Sequence, residues 1–246
     1  MNKIKNYITR LPKVIKWIVT INVLINIICV LFYTFADIDL ITYLAAYPTY
    51  SEKFNPLTIF TSLFVHAYDV WHIIPNMVLF LIFAPFVVKK LGTKKFILSY
   101  FFIGLISYFF VNHTYHKNKK LIEKSITEIG VNVEDIKIYN GEVDKNYVEK
   151  FDSNNQEIIL NYNYVTSRTY GNSGCVYGII VIYLFFNILK IRKILYLLIG
   201  GFFVLLEILV FNIDSNILDG TTYAHTGGIL AGVIVTFLYK LKKGII

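Results

Sequence analysis

Six long apolar runs constrain the fold of this chain more than any other feature of its sequence. They cover about 14–36, 70–88, 96–112, 172–189, 194–213 and 222–239. About 20 helical residues cross the hydrocarbon core of a bilayer, where backbone polar groups must be paired within the segment. The composition, 56% hydrophobic and only 16% charged, is also far more apolar than that of a soluble domain. We therefore predict an all-α membrane protein with six transmembrane helices.

The charged residues are segregated between alternate connecting segments. Fifteen cations lie before or at the start of the first run, after the second, after the fourth and after the sixth: Lys3, Lys5, Arg10, Lys13, Lys16, Lys89, Lys90, Lys94, Lys95, Lys190, Arg192, Lys193, Lys240, Lys242 and Lys243. Apart from Glu207, every acid lies in the other segments. Because cationic loops remain in the cytoplasm, we predict cytoplasmic termini and a retained signal anchor over the first run. This alternation explains the net charge of +8 through a bilayer rather than nucleic acid.

Two external segments, 37–69 and 113–168, interrupt the apolar pattern. The second contains eight cations and nine acids, which predicts a small soluble insert between the third and fourth spans. The chain then divides into 1–112, 113–168 and 169–246 within one domain overall. Inside the insert, apolar spacing over 121–129 predicts an amphipathic helix, Asn140-Gly141 predicts a hairpin, and alternation over 160–164 predicts a strand.

Polar side chains inside apolar spans are candidates for function because they are costly in hydrocarbon. Counted from the cytoplasmic lysines at about 1.5 Å per residue, four of them lie at similar depth, roughly 20 to 25 Å away. They are His72, Asn76, Ser173 and His225. A serine hydroxyl becomes a nucleophile when a histidine takes its proton. The imidazole and amide of the second span, with the backbone N–H near Ser173, could donate to a developing oxyanion.

Glycines accompany the serine and the histidine. Gly171, Gly174 and Gly178 surround Ser173, and Gly227, Gly228 and Gly232 follow His225. The pairs Gly174/Gly178 and Gly228/Gly232 form G-x-x-x-G faces, which allow helices to approach closely. Close approach of the fourth and sixth spans would bring Ser173 to His225. Tyr177, one turn after the serine, is then placed to pack on the imidazole ring.

These motifs together resemble the rhomboid family of intramembrane serine proteases over most of spans two to six. Gly171-Asn172-Ser173-Gly174 is similar to the family's G-x-S-G motif, and the histidine-glycine pattern from His225 to Gly232 is similar to that of its sixth span. His72 and Asn76 reproduce the H-x-x-x-N of the second span. The resemblance also covers the third span's entry: Gly92, Phe96, Tyr100 and Gly104. His66 precedes His72 by one residue more than the family spacing, and Asn55-Pro56 replaces a common Trp-Arg pair.

The resemblance implies a specific activity. Ser173 and His225 would form a catalytic dyad and pass through an acyl-enzyme intermediate, while His72, Asn76 and the Ser173 N–H would stabilise the transition state. Tyr177 and the glycines 171, 174, 228 and 232 would support them. The enzyme would cleave transmembrane protein substrates in the cell membrane without a cofactor or metal, with the site open to the external side.

Other readings of the same residues remain open. An inactive relative that binds membrane clients would share this fold, and a small transporter would use the same polar layer. His66, His72 and His225 could hold zinc, although the chain contains no H-E-x-x-H motif. Cys29 and Cys175 have no neighbours spaced for a metal site or a disulfide. Glu207 is either an interfacial or a functional carboxylate.

Overall fold

A computed structural model describes residues 2–136, 138–139, 142–187, 198–206 and 220–244, almost all of them in helices or connecting turns. The helices are α1 (Asn2–Arg10), α2 (Lys13–Ala36), α3 (Ile41–Leu44), α4 (Thr58–Thr61), α5 (Val70–Leu91), α6 (Thr93–Glu128), α7 (Lys145–Val148), α8 (Ser153–Thr166), α9 (Ser173–Asn187), α10 (described over 198–206) and α11 (Gly220–Lys242). Two short 3₁₀ turns cover Ser62–Phe64 and Val133–Asp135. Strands β1 (Ile138–Tyr139) and β2 (Glu142–Val143) complete the list.

Four of the described helices are long and apolar enough to cross a membrane: α2, α5, α6 and α11. They contain the predicted first, second, third and sixth spans. The fourth predicted span corresponds to α9, which is apolar and is described over 15 residues. The fifth, 194–213, lies partly outside the described residues, and Glu207 is among those outside. The structure therefore describes a multi-pass, helical membrane protein, and the count of six spans remains a prediction.

Local signals set the two ends of α5, the helix that carries His72 and Asn76. The side chain of Asp69 accepts a hydrogen bond from the backbone N–H of His72 at 3.1 Å and so caps the start of α5,. Gly92 follows its last residue with a φ of 83°, a conformation that suits glycine because it has no Cβ. The chain turns there into α6, and α5 and α6 become neighbours.

Helix α6 is longer than predicted. It runs for 36 residues, roughly 54 Å at the usual helical rise, whereas the hydrocarbon core is about 30 Å thick. The predicted third span and the start of the insert are therefore one continuous helix through residues 112 and 113. Its outer part contains the predicted amphipathic helix, with Ile122 and Ile126 buried and Leu121 exposed.

The insert has a hydrophobic cluster of its own, formed by Ile122, Ile126, Val131, Ile136, Val143, Val148, Ile159, Tyr162 and Val165. β1 and β2 pair antiparallel with Ile138 opposite Val143, which confirms the predicted hairpin strands, while Asn140 and Gly141 lie outside the described residues. The strand predicted over 160–164 is wrong, because these residues belong to α8. Ile159, Tyr162 and Val165 are buried at helical spacing, so packing on α6 overrides the local alternation.

The membrane part is organised around three helices, since α11 packs along both α6 and α9. Added Cβ atoms show how close these backbones are. A Cβ at Gly232 would lie 2.5 Å from the Gly178 carbonyl oxygen, and one at Gly227 would lie 2.9 Å from the Ser107 Cα. Only glycine fits such contacts between helices. The main core, which includes Phe80, Phe83 and Tyr183, continues this packing toward the far end of the bundle.

Candidate active site

Ser173 is the first residue of α9. Gly171, two residues earlier, has a φ of 103°, which favours glycine and turns the chain into the helix. Asn172 is fully buried, whereas Ser173 is only partly buried. The first backbone N–H groups of a helix have no partner within the helix, so the serine lies beside unpaired N–H donors at the positive end of the helix dipole.

His225 lies on α11, and its ring is stacked on Tyr177. The two ring centroids are 4.2 Å apart with an angle of 23° between the planes. Tyr177 follows Ser173 by one helical turn, so both side chains project from the same face of α9. The imidazole is 9% exposed. The predicted packing of Tyr177 on the histidine ring is therefore present, and it places the imidazole beside the helix face that carries the serine.

His72 lies in the first turn of α5, and a backbone hydrogen bond determines its tautomer. The Ala67 N–H donates to its Nδ1 at 3.1 Å, so this nitrogen must be the unprotonated acceptor and Nε2 carries the hydrogen. Nε2 lies 3.2 Å from the position of a Cβ added to Gly171. A single N–H donor of the ring is thus directed at the segment immediately before Ser173.

Asn76 is one turn after His72 and is buried. Its side-chain amide donates to the His72 carbonyl oxygen at 2.9 Å. The amide nitrogen carries two hydrogens, and this bond uses one of them. Asn76 is thus held against the same turn as His72.

The four supporting glycines lie where the helices and the loop approach most closely. A Cβ at Gly174 would be 2.8 Å from the Ala224 carbonyl oxygen, and one at Gly228 would overlap the backbone of Gly174. Gly232 meets Gly178 one turn further along. Gly171 has the left-handed φ and faces His72. A side chain at Gly174, Gly228 or Gly232 would separate α9 from α11, and one at Gly171 would displace the imidazole of His72.

A cavity of about 220 Å³ opens beside the serine. It is lined by His72, Tyr115, Ser167, Arg168, Thr169, Tyr170, Gly171, Ser173, Gly220, Thr221 and Ala224. The residue before His225 and the ring of His72 therefore share one cavity with Ser173. Most of its wall is polar or aromatic, and Tyr115 reaches it from the part of α6 that continues into the insert.

A buried polar network lies behind the serine. His66 is fully buried, and its Nε2 is 3.3 Å from the Asn172 side-chain oxygen, while the Asn172 amide donates to the Tyr100 hydroxyl at 3.4 Å. Burial lowers the pKa of His66 to about 4, assisted by the neighbouring His72. His66 is therefore neutral at pH 7 and ties the loop before α5 to the residue that precedes Ser173.

Sequence patterns did not identify several residues of this region. Asn172, Tyr115 and Arg168 carried no recognised role, and His66 was not assigned one, because their partners are distant in the chain. His66 and His72 lie edge to face with ring centroids 5.2 Å apart, while His225 stacks on Tyr177. Within the described residues, no three histidine, cysteine or acidic side chains are grouped as a metal site would require.

Comparison with protein families finds a match for this chain. The model described as "Rhomboid domain" matches residues 53–133 and 148–242, which is well over half of the chain. The matched segments include all four candidate catalytic and oxyanion residues and leave out part of the insert. Comparisons with curated proteins and with solved structures gave no match.

Proposed function

The chain belongs to the rhomboid family of intramembrane serine proteases, and on that basis we propose that it hydrolyses peptide bonds in or beside the transmembrane segments of membrane proteins. Ser173 is the nucleophile in this proposal, and His225 is its general base. The observation that carries it is the stack of His225 on Tyr177, one helical turn from a serine that lines an open cavity.

The proposed reaction follows from a serine and an imidazole acting together. The Ser173 Oγ attacks the scissile carbonyl carbon while its proton passes to an imidazole nitrogen of His225. The imidazolium then protonates the leaving amine, which leaves an acyl-enzyme. Water, deprotonated by His225, attacks the ester and releases the new carboxyl terminus and the serine. No carboxylate takes part, and the tyrosine stack orients the ring in place of a third residue.

The developing oxyanion needs donors that are already oriented. The His72 Nε2–H is one such donor, because the Ala67 N–H occupies the other ring nitrogen. The Ser173 backbone N–H at the start of α9 is a second donor. The Asn76 amide is the third, with one hydrogen on the His72 carbonyl and one remaining for substrate. Loss of a single donor of this type typically lowers turnover by about 10²- to 10³-fold.

The charge pattern completes the proposal. In this proposal, six spans with cytoplasmic termini leave the insert and the cavity on the external side, because α9 directly follows the insert in the sequence and is itself followed by the cations of 190–193,. Water from that side then reaches Ser173 through the cavity, and membrane protein substrates approach within the bilayer. The parts 1–112, 113–168 and 169–246 act as one rhomboid domain with an external insert.

Cleavage in liposomes tests the proposal. Purified wild-type protein and Ser173→Ala are incubated with a panel of transmembrane helices, some with Gly or Ser kinks, and products are identified by mass spectrometry. We expect cleavage by the wild type alone and labelling of Ser173 by a fluorophosphonate. No cleavage and no labelling would refute the protease assignment and favour an inactive, client-binding relative.

A further inference from the structure

The carboxylate of Asp39 connects two segments that lead to opposite sides of the active site. Asp39 follows α2 in the external loop, and it does not line the cavity. Its Oδ1 accepts a hydrogen bond from the Tyr68 hydroxyl at 2.5 Å. Its Oδ2 accepts one from the Arg168 guanidinium at 2.5 Å. One side chain thus bonds two residues that are 100 positions apart in the sequence.

Each partner of Asp39 leads to a proposed catalytic group. Tyr68 lies between His66 and His72, in the loop whose Ala67 N–H sets the His72 tautomer. Arg168 begins the short extended segment that ends at Ser173. The carboxylate therefore lies between the segment that carries the nucleophile and the loop that carries an oxyanion donor.

The connection is partly buried and well supplied with hydrogen bonds. The side chains of Arg168 and Asp39 are 17% and 18% exposed. Thr42 donates its hydroxyl to Asp39 at 3.0 Å and also accepts from Arg168. On the other side, the Tyr68 ring is stacked on Tyr33 with centroids 4.2 Å apart. Charge-assisted bonds in such surroundings are stronger than exposed ion pairs.

The charge state of the pair supports this geometry. Partial burial alone would raise the pKa of Asp39, but the hydrogen bonds from Tyr68 and Arg168 and the guanidinium charge lower it overall. Burial alone would lower the pKa of Arg168, but its hydrogen bond to Asp39 and the charge of that carboxylate raise it overall. Both groups are therefore charged at every pH suitable for a serine protease.

The backbone beyond Arg168 is held to the same external loop. Thr169 and Ala46 exchange two backbone hydrogen bonds of 2.7 and 2.9 Å. The Gly171 N–H donates to the Ser62 carbonyl oxygen at 2.9 Å. The ion pair with Asp39 is the only salt bridge of this segment among the described residues, and it stands at the end of the segment farthest from Ser173.

We propose that Asp39 is a positioning residue whose carboxylate, bound to Tyr68 and Arg168, fixes the separation between the Ser173 segment and the His72 loop. The inference rests on the protease function proposed above. Because Asp39 does not touch the cavity, its loss changes the alignment of the reacting groups without removing a substrate contact. Misplacement by about 1 Å can lower a rate by about 100-fold.

The test compares Asp39→Asn with Asp37→Asn, which removes the same charge from an exposed residue two positions away. Steady-state cleavage in liposomes gives kcat and KM, and thermal unfolding gives the folded fraction. We expect Asp39→Asn to lower kcat per folded molecule about tenfold or more with little change in KM, and Asp37→Asn to match the wild type. A loss explained entirely by a smaller folded fraction would overturn the proposal.

Two further variants keep the test decisive if Asp39→Asn folds poorly. Tyr68→Phe removes only the hydroxyl that bonds Asp39 and leaves the ion pair with Arg168 in place, so we expect kcat to fall while the melting temperature stays near that of the wild type. Asp39→Asn combined with Arg168→Gln should be no slower than the slower single variant, because residues that act as one unit are not additive. Wild-type kcat in Tyr68→Phe, or additive losses in the double variant, would refute the positioning role.

Wild type and Ser173→Ala are measured in the same assay. If the wild type does not cleave and is not labelled by a fluorophosphonate, the protease function itself fails. If the wild type cleaves and Asp39→Asn behaves like Asp37→Asn, only the role of Asp39 fails.

Discussion

Replacing Gly232 by alanine should separate the two helices that bear the serine and the histidine. The added Cβ would lie 2.5 Å from the carbonyl oxygen of Gly178, 3.0 Å from its Cα and 3.1 Å from its carbonyl carbon. All three atoms are backbone, so no side chain can rotate away. An ordinary contact begins at 3.4 Å, and α11 must therefore move away from α9 by about 0.9 Å, the difference between 3.4 and 2.5 Å.

In the proposed reaction, this shift acts through the imidazole of His225. His225 lies two turns before Gly232 on α11, whereas Ser173 and Tyr177 lie on α9. A displacement near 1 Å between reacting groups can cost about 100-fold in rate, so we expect kcat to fall about ten- to a hundredfold. Overpacking of this kind also lowers the free energy of unfolding by about 1 to 3 kcal/mol.

Gly201→Ala is the matched control. Gly201 is also helical, and its added Cβ would meet no described residue within 4 Å. Both changes raise helix propensity equally, so they differ only in the contact made. Turnover in liposomes and the melting temperature are measured for both variants. Wild-type turnover in Gly232→Ala would show that the close contact of α9 and α11 does not position His225.

Three other predictions concern single features of the structure. Tyr177→Ala should lower kcat more than Tyr177→Phe, because phenylalanine keeps the stacked ring at 4.2 Å from His225; equal kinetics for the two variants would remove the stack from the mechanism. His66 is neutral when folded, with a pKa of about 4 against 6.5 for the free side chain, so the unfolded state binds more protons between these values and stability should fall as pH drops from 6.5 toward 4. Thermal unfolding of His66→Gln should show a weaker decline over that range, and an identical decline would contradict the assignment. Replacing 117–164 by a short flexible linker should preserve fluorophosphonate labelling of Ser173, because the insert has its own hydrophobic cluster and both of its ends contact Tyr50; lost labelling would show that the site needs the insert.

The candidate site was predictable from sequence wherever its spacing is local. Ser173 and Tyr177 are one turn apart on one helix, and His72 and Asn76 are one turn apart on another. Helical periodicity alone places each pair on one face. The glycine motifs then indicated which helices approach each other. These features depend on the chain over a few residues, and the structure shows each of them.

The parts of the site and fold that were not predicted depend on contacts between residues distant in the sequence. Asp39 and Arg168 are 129 positions apart, and His66 and Asn172 are 106 apart. No periodic pattern marks such pairs, since each depends on how the loops fold over the bundle. The strand predicted over 160–164 failed for a related reason, because contact with α6 selects a helix there. The length of α6 was missed because its polar outer half no longer has the composition of a span.

Helix α6 runs without interruption from the helix bundle into the insert. The helix contains no proline, and it runs from the residues that touch α11, such as Ser107, to Glu128, roughly 30 Å further out. Tyr115, between these two points, forms part of the cavity wall. Because one unbroken helix joins the hydrophobic cluster of the insert to this wall, we expect a displacement of its outer end to move Tyr115 as well.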